Sequence, residues 1–484
     1  MSNAIEGLKP DHVWKYFAEI AKIPHGSKNE AAIAKYVVDT AKKLGLAVKQ
    51  DKAGSVIVKK PATAGRERAP SVCLQGHLDM VCEKNSDKKH DFEKDPIVMV
   101  RKGNALMADG TTLGADNAVA VATNLAIMED KSLEHGPLEL LFTIDEETGL
   151  TGANNLEPGF VESKILMNLD SEEEGELTVG CAGGKDTVGT WKVDFEAAPK
   201  GTVGVKIMVK GLKGGHSGVD IDKYRGNAIK ILARTIARIA DQGLRIGELS
   251  GGSKRNAIPR EAYAVGFLPA AKLEAAKAAV LEMQKVIKNA FGTSDPDVQV
   301  VLEPTGQKKG KVIKKAQVAK ILKTIAALPH GITRMSVDIS NLVETSTNVA
   351  VITTTKKQVE LATSQRSSVA SEILDLVASV HATFELGGAD IFHSDGYPGW
   401  KPNLQSPILK LGKETYKQLF GKEALVKAIH AGLECGIIGE KYPGMDMVSF
   451  GPTLEAVHSP DEKIFVDTVP KFWSFLLALL KNIH

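Results

Sequence analysis

Apolar and polar positions alternate through the first 188 residues in a way that predicts helices and buried strands in turn. A first amphipathic helix carries its apolar residues at helical spacing, at Val13, Trp14, Phe17 and Ile20. A second helix is predicted over 31–44. Three apolar strands follow, and they end at Gln75, Thr143 and Leu169. Strands at this spacing predict an α/β fold, with a mostly parallel sheet and helices on both faces.

The pattern changes from about residue 189. Half-exposed strands and helices then follow each other in two similar groups, at 203–209 and 226–240, and at 349–353, 359–363 and 367–380. These groups predict an inserted α+β lid domain over 189–396, built from two related halves. The first pattern returns at 397 and closes with an apolar helix over 472–480. We therefore predict a discontinuous catalytic domain over 1–188 and 397–484.

Composition narrows the classes of function. The 484 residues contain 61 Lys and Arg against 59 Asp and Glu, so the net charge of +2 favours neither nucleic acid nor membrane as a partner. Four cysteines without a CxxC pair are typical of a reducing compartment. No apolar run approaches the roughly 18 residues of a membrane span, and no signal segment is apparent. The predicted location is the cytoplasm.

Candidate chemistry begins where the first apolar strand ends. His77 and Asp79 are two residues apart, so on an extended chain they point the same way. A carboxylate in that position fixes the tautomer of a metal-bound histidine. Taken alone, such a pair is more often structural than functional.

Further carboxylates follow the other predicted strands. Glu146 and Glu147 come directly after the strand that ends at Thr143, where open α/β sheets place their sites. A charge run there is also compatible with a solvated loop. Asp170 ends the next strand, and Asp116 lies in a glycine-flanked turn, where it could equally cap a helix.

A histidine in a Pro- and Gly-framed loop, His458, completes a set of nitrogen and oxygen donors. Such a set without thiolates suits zinc, cobalt or manganese. Two metal ions need about four terminal ligands and one bridge. The set that fits is His77, Asp116, Glu147, Asp170 and His458, with Asp116 as the bridge. Glu146 is then left over beside a ligand, which is the position of a general base.

The chain resembles the co-catalytic zinc metallopeptidases, which include carnosinases, aminoacylases and glutamate carboxypeptidases, and within them the dipeptidases that act on Xaa-His. The likeness covers nearly the whole chain. It is carried by HLDMV at His77, TTLGADN ending at Asn117, DEETG at Asp145, NLDSEEEGE at Asn168, GCAGG at Gly180, GLKGGHSG at Gly211, GNA at Gly226, RNAIPREA at Arg255, HAGLECG at His430 and GP…HSPDE at Gly451.

The resemblance implies a role for each residue of the set. His77 and Asp170 would bind one zinc, and Glu147 and His458 the other. Asp116 would bridge the two ions and precede a cis peptide bond. The resemblance also implies that Asp79 orients His77 and that Glu146 is the base.

The lid domain is expected to supply groups that contact the substrate. The resemblance implies that His216 stabilises the oxyanion, although a histidine in a glycine loop is more often a surface residue. It also implies that Asn256 contacts the substrate. Arg366 could clamp a terminal carboxylate or form a surface salt bridge. Gly432 would offer backbone contacts, and the role of Glu434 stays open.

The predicted function is hydrolysis of unblocked dipeptides, with Xaa-His, including β-alanyl-histidine, implied by the resemblance. A metal-bridging hydroxide would attack and Glu146 would move the proton. An N-acyl-amino-acid amidohydrolase or an aminopeptidase is the alternative. A metal-dependent binding protein is disfavoured because it has no need of Glu146. The expected cofactors are two divalent ions, zinc with cobalt or manganese as substitutes. Homodimers through the lid are common in the family, but a doubled lid could let one chain complete its own site.

Overall fold

The computed structural model describes residues 3–484, which divide into two compact units. The first unit runs to Gly180 and continues through Pro402–Ala428 and Leu433–His484. The second unit comprises Cys181–Lys401 and Ile429–Gly432. Both predicted boundaries, 188/189 and 396/397, lie inside the second unit, because the strand that begins at Gly183 already belongs to its sheet.

The first unit is built on an eight-stranded sheet. In spatial order its strands are Ala47–Gln50, Val56–Lys60, Leu138–Thr143, Val72–His77, Ile165–Asn168, Asp446–Ser449, Glu176–Cys181 and Leu425–Ile429. The third to sixth strands pair in parallel. The first strand pairs antiparallel with the second, the second with the third, and the sixth with the seventh. The sheet is therefore parallel at its centre and mixed as a whole.

The parallel strands are apolar because both of their faces are covered. Val72–His77 and Leu138–Thr143 are buried at every position. Their register pairs His77 with Thr143, so the two strands end side by side. Residues that follow these strands therefore emerge at one edge of the sheet.

Helices cover this sheet, and they span Asp11–Ile20, Ala31–Lys43, Ala115–Glu129, Glu146–Gly149, Thr151–Asn155, Pro407–Phe420, Glu434–Lys441 and Val469–Asn482. A smaller four-stranded sheet is formed by Leu454–Glu455, Lys463–Phe465, Ala105–Ala108 and Met99–Lys102. Its first two strands flank His458. No helix in the described range is long and apolar enough to cross a membrane.

The second unit is built on a nine-stranded sheet whose pairs are antiparallel. In spatial order its strands are Gln299–Pro304, Thr202–Lys210, Ala262–Pro269, Arg245–Gly251, Val343–Thr354, Gln358–Ser367, Gly183–Lys192 and Asp390–His393, and Gly331–Met335 pairs with Val343–Thr354. Two short pairs join Phe195–Ala197 to Lys311–Ile313 and Gly215–His216 to Ala257–Ile258.

The helices of the second unit are Ala228–Ile239, Leu273–Phe291, Lys315–Ala327 and Ala370–Leu386. Short 3₁₀ helices across the chain are Asn3–Ile5, Ile221–Lys223, Ala240–Gln242 and Ala270–Lys272. In the middle of this sheet, Arg245–Gly251 and Val343–Thr354 are paired at one position, Gly251 with Ile352. The sheet therefore has two parts, as the duplicated pattern suggests, although a sequence relation between them stays a prediction. The predicted fold class, a parallel α/β domain interrupted by an α+β domain, is confirmed.

Candidate metal centre and active site

The carboxyl ends of the central strands place the predicted metal ligands at one edge of the first sheet. His77 is the last residue of its strand, and Asp170 lies just beyond Asn168. Glu147 follows a turn in which Asp145 has the left-handed φ of 48°. Asp116 lies in a kink near the start of its helix, with the non-helical ψ of 103°, and the Asp116–Asn117 peptide bond is cis.

Two groups of ligand atoms share Asp116. His77, Asp116 and Asp170 form one group, and Asp116, Glu147 and His458 form the other, with the atoms of each group within 4.8 Å of one another. Asp116 Oδ1 lies 3.1 Å from His77 Nε2, and its Oδ2 lies 3.3 Å from His458 Nε2. Each carboxylate oxygen thus faces a different histidine, which is the arrangement that a bridging ligand requires.

The orientation of His77 is fixed by Asp79. His77 Nδ1 lies 3.2 Å from Asp79 Oδ1 and 3.1 Å from the main-chain oxygen of Asp79. His77 Nε2 is thereby turned toward Asp116 and Asp170. The structure therefore places Asp79 where a carboxylate that orients a metal-binding histidine is expected.

Asp79 also holds the turn that carries the two glutamates. It accepts hydrogen bonds from the backbone N–H of Glu146 at 2.9 Å and of Glu147 at 3.2 Å, and from Ser27 Oγ at 2.8 Å. Burial raises the pKa of Asp79, but His77 and these hydrogen bonds outweigh it and bring the pKa to about 2. Asp79 is therefore an ionised carboxylate that links His77 to both glutamates.

The composition of the cluster fits divalent ions. Within residues 3–484, the ion pairs of its carboxylates are formed with His77 and His458, and none involves lysine or arginine. Burial raises the pKa of Glu146, Glu147 and Asp170, because each charge is removed from water near other negative charges. Cations among these oxygens would offset that cost, and the nitrogen and oxygen donors suit zinc.

Glu146 lies beside both groups. It forms a third possible ligand group with His77 and Glu147. Its pKa is raised well above the usual value by burial and by Asp170, Glu147 and Glu434, against the opposing effect of His77. The geometry therefore admits Glu146 as a base or as a ligand, and the predicted role of base needs an experiment that separates the two.

The second unit holds His216 in a defined tautomer. His216 Nδ1 accepts hydrogen bonds from the backbone N–H groups of Gly218 and Val219, both at 3.2 Å. Because Nδ1 is an acceptor, the proton of the neutral ring is on Nε2. His216 is half-buried rather than a fully exposed surface residue. A histidine with its proton on Nε2 is the donor that the predicted oxyanion contact requires.

Arg366 is a buried arginine without an acidic partner. It is 6% exposed, and its Nη1 donates to the Tyr397 hydroxyl at 2.9 Å. Its Nε is buried without a hydrogen bond, and no carboxylate from residue 3 to residue 484 forms an ion pair with it. Buried arginines are normally paired, so this guanidinium fits a carboxylate that residues 3–484 do not supply. The alternative of a surface salt bridge is wrong, since Arg366 is neither exposed nor paired.

A cavity of about 370 Å³ surrounds this arginine. Asn256 and Tyr397 line it with Arg366, and Asn256 is exposed. Gly432 lies against the Tyr397 ring, and a Cβ at this glycine would come within 2.8 Å of it. The structure thus brings Asn256, Arg366 and Gly432 close to Tyr397 within the second unit.

Comparisons with known proteins identify the family. The sequence model of the peptidase family M20/M25/M40 matches residues 73–482. The chain belongs to this family. It is therefore a metallopeptidase, and the predicted enzyme class, a hydrolase, is confirmed.

Individual proteins also match along almost the whole chain. The cytosol non-specific dipeptidase of Escherichia coli K12 is 43% identical over 477 residues, which cover 98% of each chain. The crystal structure of aminoacylhistidine dipeptidase from Vibrio alginolyticus matches with a TM-score of 0.89 and 43% identity over 99% of this chain and 98% of that one. A Staphylococcus aureus tripeptidase shares the fold, with a TM-score of 0.58 and 18% identity over 98% of this chain and 99% of that one.

The sequence left the role of Glu434 open. In the structure it contacts the ends of the strands that lead to the candidate ligands. It is fully buried, and its Oε2 accepts hydrogen bonds from Gln75 Nε2 and Thr143 Oγ1, both at 2.6 Å. Burial raises its pKa to about 7. Because Gln75 and Thr143 belong to the strands that lead to the ligands, Glu434 joins the ends of these strands.

Sequence reasoning missed two residues that contact the predicted site residues. Asn117 donates from Nδ2 to Asp170 Oδ1 at 2.5 Å and to the main-chain oxygen of Leu169 at 3.0 Å. Tyr397 contacts Arg366, as described above. Asn117 could have been found from its place next to Asp116. Tyr397 carried no signal, because 31 residues of chain separate it from Arg366.

Proposed function

We propose that this metallopeptidase is a dipeptidase for unblocked dipeptides, with a preference for Xaa-His, including β-alanyl-histidine. The proposal is supported by two relatives at 43% identity, one named a cytosol non-specific dipeptidase and the other an aminoacylhistidine dipeptidase. The name of the first relative also supports the cytoplasm as the location.

The sharing of Asp116 between two ligand groups is the observation that carries a two-ion site. His77 and Asp170 would hold one ion, Glu147 and His458 the other, and Asp116 both. Zinc is the proposed metal, with cobalt or manganese as substitutes. Bound there, the ions would polarise the scissile carbonyl and acidify the attacking water.

The protein's own groups move the protons. Glu146 accepts a proton from the attacking water and passes it to the leaving amine, for which a carboxylate with a raised pKa is suited. Its place next to Glu147, whose backbone N–H is held by Asp79, keeps the base beside the ligands. His216 donates from Nε2 to the oxygen on which negative charge develops.

The inserted domain supplies the group that selects short substrates with a free carboxyl end. Arg366 takes the terminal carboxylate, because its buried guanidinium has no acidic partner in the described chain. Asn256 and the backbone of Gly432 add further contacts to the substrate.

A substrate panel tests the function. We expect rapid hydrolysis of Ala-His and β-alanyl-histidine, slower hydrolysis of other dipeptides, and little activity on acetylated amino acids. The Arg366→Ala variant should lose at least about tenfold in kcat/KM on free dipeptides and far less on their C-terminal amides. Preferential cleavage of acetylated amino acids would make the chain an amidohydrolase. Equal losses on dipeptide and amide would contradict the carboxylate contact.

A further inference from the structure

The carboxylate of Glu462 is tied to the loop that carries Asp116. Glu462 is 2% exposed. Its Oε2 accepts hydrogen bonds from the backbone N–H of Leu113 at 2.8 Å and of Gly114 at 2.9 Å. Its Oε1 accepts from Ala115 at 2.8 Å and from Asp116 at 3.3 Å. One buried side chain therefore satisfies four consecutive backbone donors.

These donors lie in the turn that leads into the helix Ala115–Glu129. The helix Ala115–Glu129 has Gly114 at its N-cap, in a left-handed conformation with φ of 70°, and no side chain of its own caps it. Asp116 and Asn117 have non-helical backbone angles, with ψ of 103° at Asp116, so the four donors belong to this turn and precede the regular part of the helix. Glu462 supplies the acceptor from a distant part of the chain and so contacts the backbone of the turn that carries Asp116.

Glu462 is also close in sequence to the second histidine ligand. The N–H of Glu462 donates to the main-chain oxygen of Ser459 at 3.0 Å, and Ser459 Oγ donates to that of Ala456 at 2.7 Å. His458 lies inside this turn with φ of 62°. Its side chain is 49% exposed, so packing does little to fix it. The backbone of the turn must fix the position of His458 instead.

We propose that Glu462 is a positioning residue that sets Asp116 and His458 at the spacing needed to bind the second ion. It joins the loops of both ligands through one carboxylate, with no contact to the substrate. This inference rests on the proposed two-ion site. It goes beyond that site because Glu462 would act on metal affinity without being a ligand.

The test is metal binding to Glu462→Gln. The amide keeps the shape of the side chain but turns an NH₂ group toward backbone donors, so about half of the hydrogen bonds are lost. We expect the variant to fold, and we expect its first zinc equivalent, which His77 and Asp170 would also hold, to be weakened less than the second. The second equivalent should bind about 10- to 100-fold more weakly, as measured by chelator competition.

A matched control separates positioning from simple stabilisation. Glu139 is 3% exposed and accepts hydrogen bonds from the backbone N–H of Glu162 at 2.9 Å and of Ser163 at 2.8 Å. It lies at the beginning of the strand whose other end leads to Glu146. The Glu139→Gln variant should lose thermal stability and keep both zinc affinities.

The outcomes separate the two proposals. Wild-type protein that binds fewer than two zinc equivalents would overturn the two-ion site itself. Two wild-type affinities in Glu462→Gln, with a thermal loss like that of Glu139→Gln, would limit Glu462 to stabilising the fold and contradict the positioning role. The Glu462→Asp variant, which keeps the charge but shortens the reach, should weaken the second site to a smaller degree. Failure of both Glu462 variants to fold would also contradict the proposal, because the role argued is local.

Discussion

Glu146 and Glu147 are adjacent in one turn, yet we propose different roles for them, a general base and a metal ligand. Glu147 faces His458 at 2.9 Å, whereas Glu146 has no ion pair with either histidine in the described chain. Glu146→Gln should therefore lower kcat by roughly 10²- to 10⁴-fold and leave metal content unchanged. Glu147→Gln should lower metal content, because it removes a proposed ligand. Steady-state kinetics and elemental analysis on the same preparations measure both effects, and the reverse pattern would exchange the two assignments.

A second prediction concerns His216, whose neutral ring carries its proton on Nε2. A donor to the oxyanion acts chiefly in the transition state, so His216→Ala should lower kcat by about 10²- to 10³-fold, with little change in KM and none in metal content. His381→Ala is the matched control. His381 is another half-buried histidine of the inserted domain, and its Nδ1 is within hydrogen-bond distance of His393 Nε2, at 2.9 Å. A kcat for His216→Ala within about threefold of the wild type would exclude the oxyanion role.

Residue type and strand position were enough to predict which side chains would meet. His77 is the last residue of a buried strand, and Glu147 and Asp170 follow two others. Because parallel strands end at a common edge, the sequence was enough to predict that these side chains lie close together. Glu462 could not be predicted in the same way. Its partners are backbone N–H groups, which leave no trace in residue identity, and they lie far away in the chain. The roles of the ligands themselves stay predictions until metal binding is measured.

In the inserted domain, the buried side chain of Asp295 holds both ends of the loop that contains His216. Asp295 is fully buried, and its oxygens accept hydrogen bonds from the backbone N–H of Lys213 and of Gly226, both at 2.8 Å. The segment between these two residues contains His216. Asp295 therefore closes that segment into a loop with fixed ends.

Replacing Asp295 by Ala should loosen this loop. The buried N–H of Gly226 and the part-buried N–H of Lys213 would lose their partner, so we expect the free energy of unfolding to fall by about 1–3 kcal/mol. We also expect kcat to fall, because His216 would no longer be held. Denaturant unfolding and steady-state kinetics measure the two effects. A loss of stability at unchanged kcat would show that His216 does not depend on the loop ends.

The spacing of apolar residues predicted most of the helices and central strands, but it did not predict every strand of the first sheet. Buried runs such as Val72–His77 are read easily, because both faces of a central strand are apolar. The edge strand Ala47–Gln50 is mostly exposed and carries no such run. Its antiparallel pairing with Val56–Lys60 arises from a short connection between the two strands, which periodicity does not report. The sheet was therefore predicted as more uniformly parallel than it is.

The whole molecule should depend on its ions for stability as well as for activity. Like charges converge in the cluster around Asp116, so ions that bind the folded state stabilise it by mass action, by roughly 4 kcal/mol at a thousandfold excess over Kd. Removing metal with a chelator should abolish hydrolysis and lower Tm, and added zinc should restore both. Magnesium is the control, because it binds histidine nitrogens poorly. Full activity in protein shown to be metal-free would contradict this expectation.

The discontinuity of the first unit constrains when the site can be completed during synthesis. The strand Asp446–Ser449 lies between Ile165–Asn168 and Glu176–Cys181 in the sheet, yet it is made after the entire inserted domain. A ribosome adds about 5–20 residues per second, so roughly tens of seconds separate the emergence of Asp170 from that of His458. During this time the nascent chain would carry every proposed ligand of the first ion and lack one proposed ligand of the second. Ion loading can therefore finish only when translation is nearly complete, and a product truncated before His458 would be left with half a metal centre.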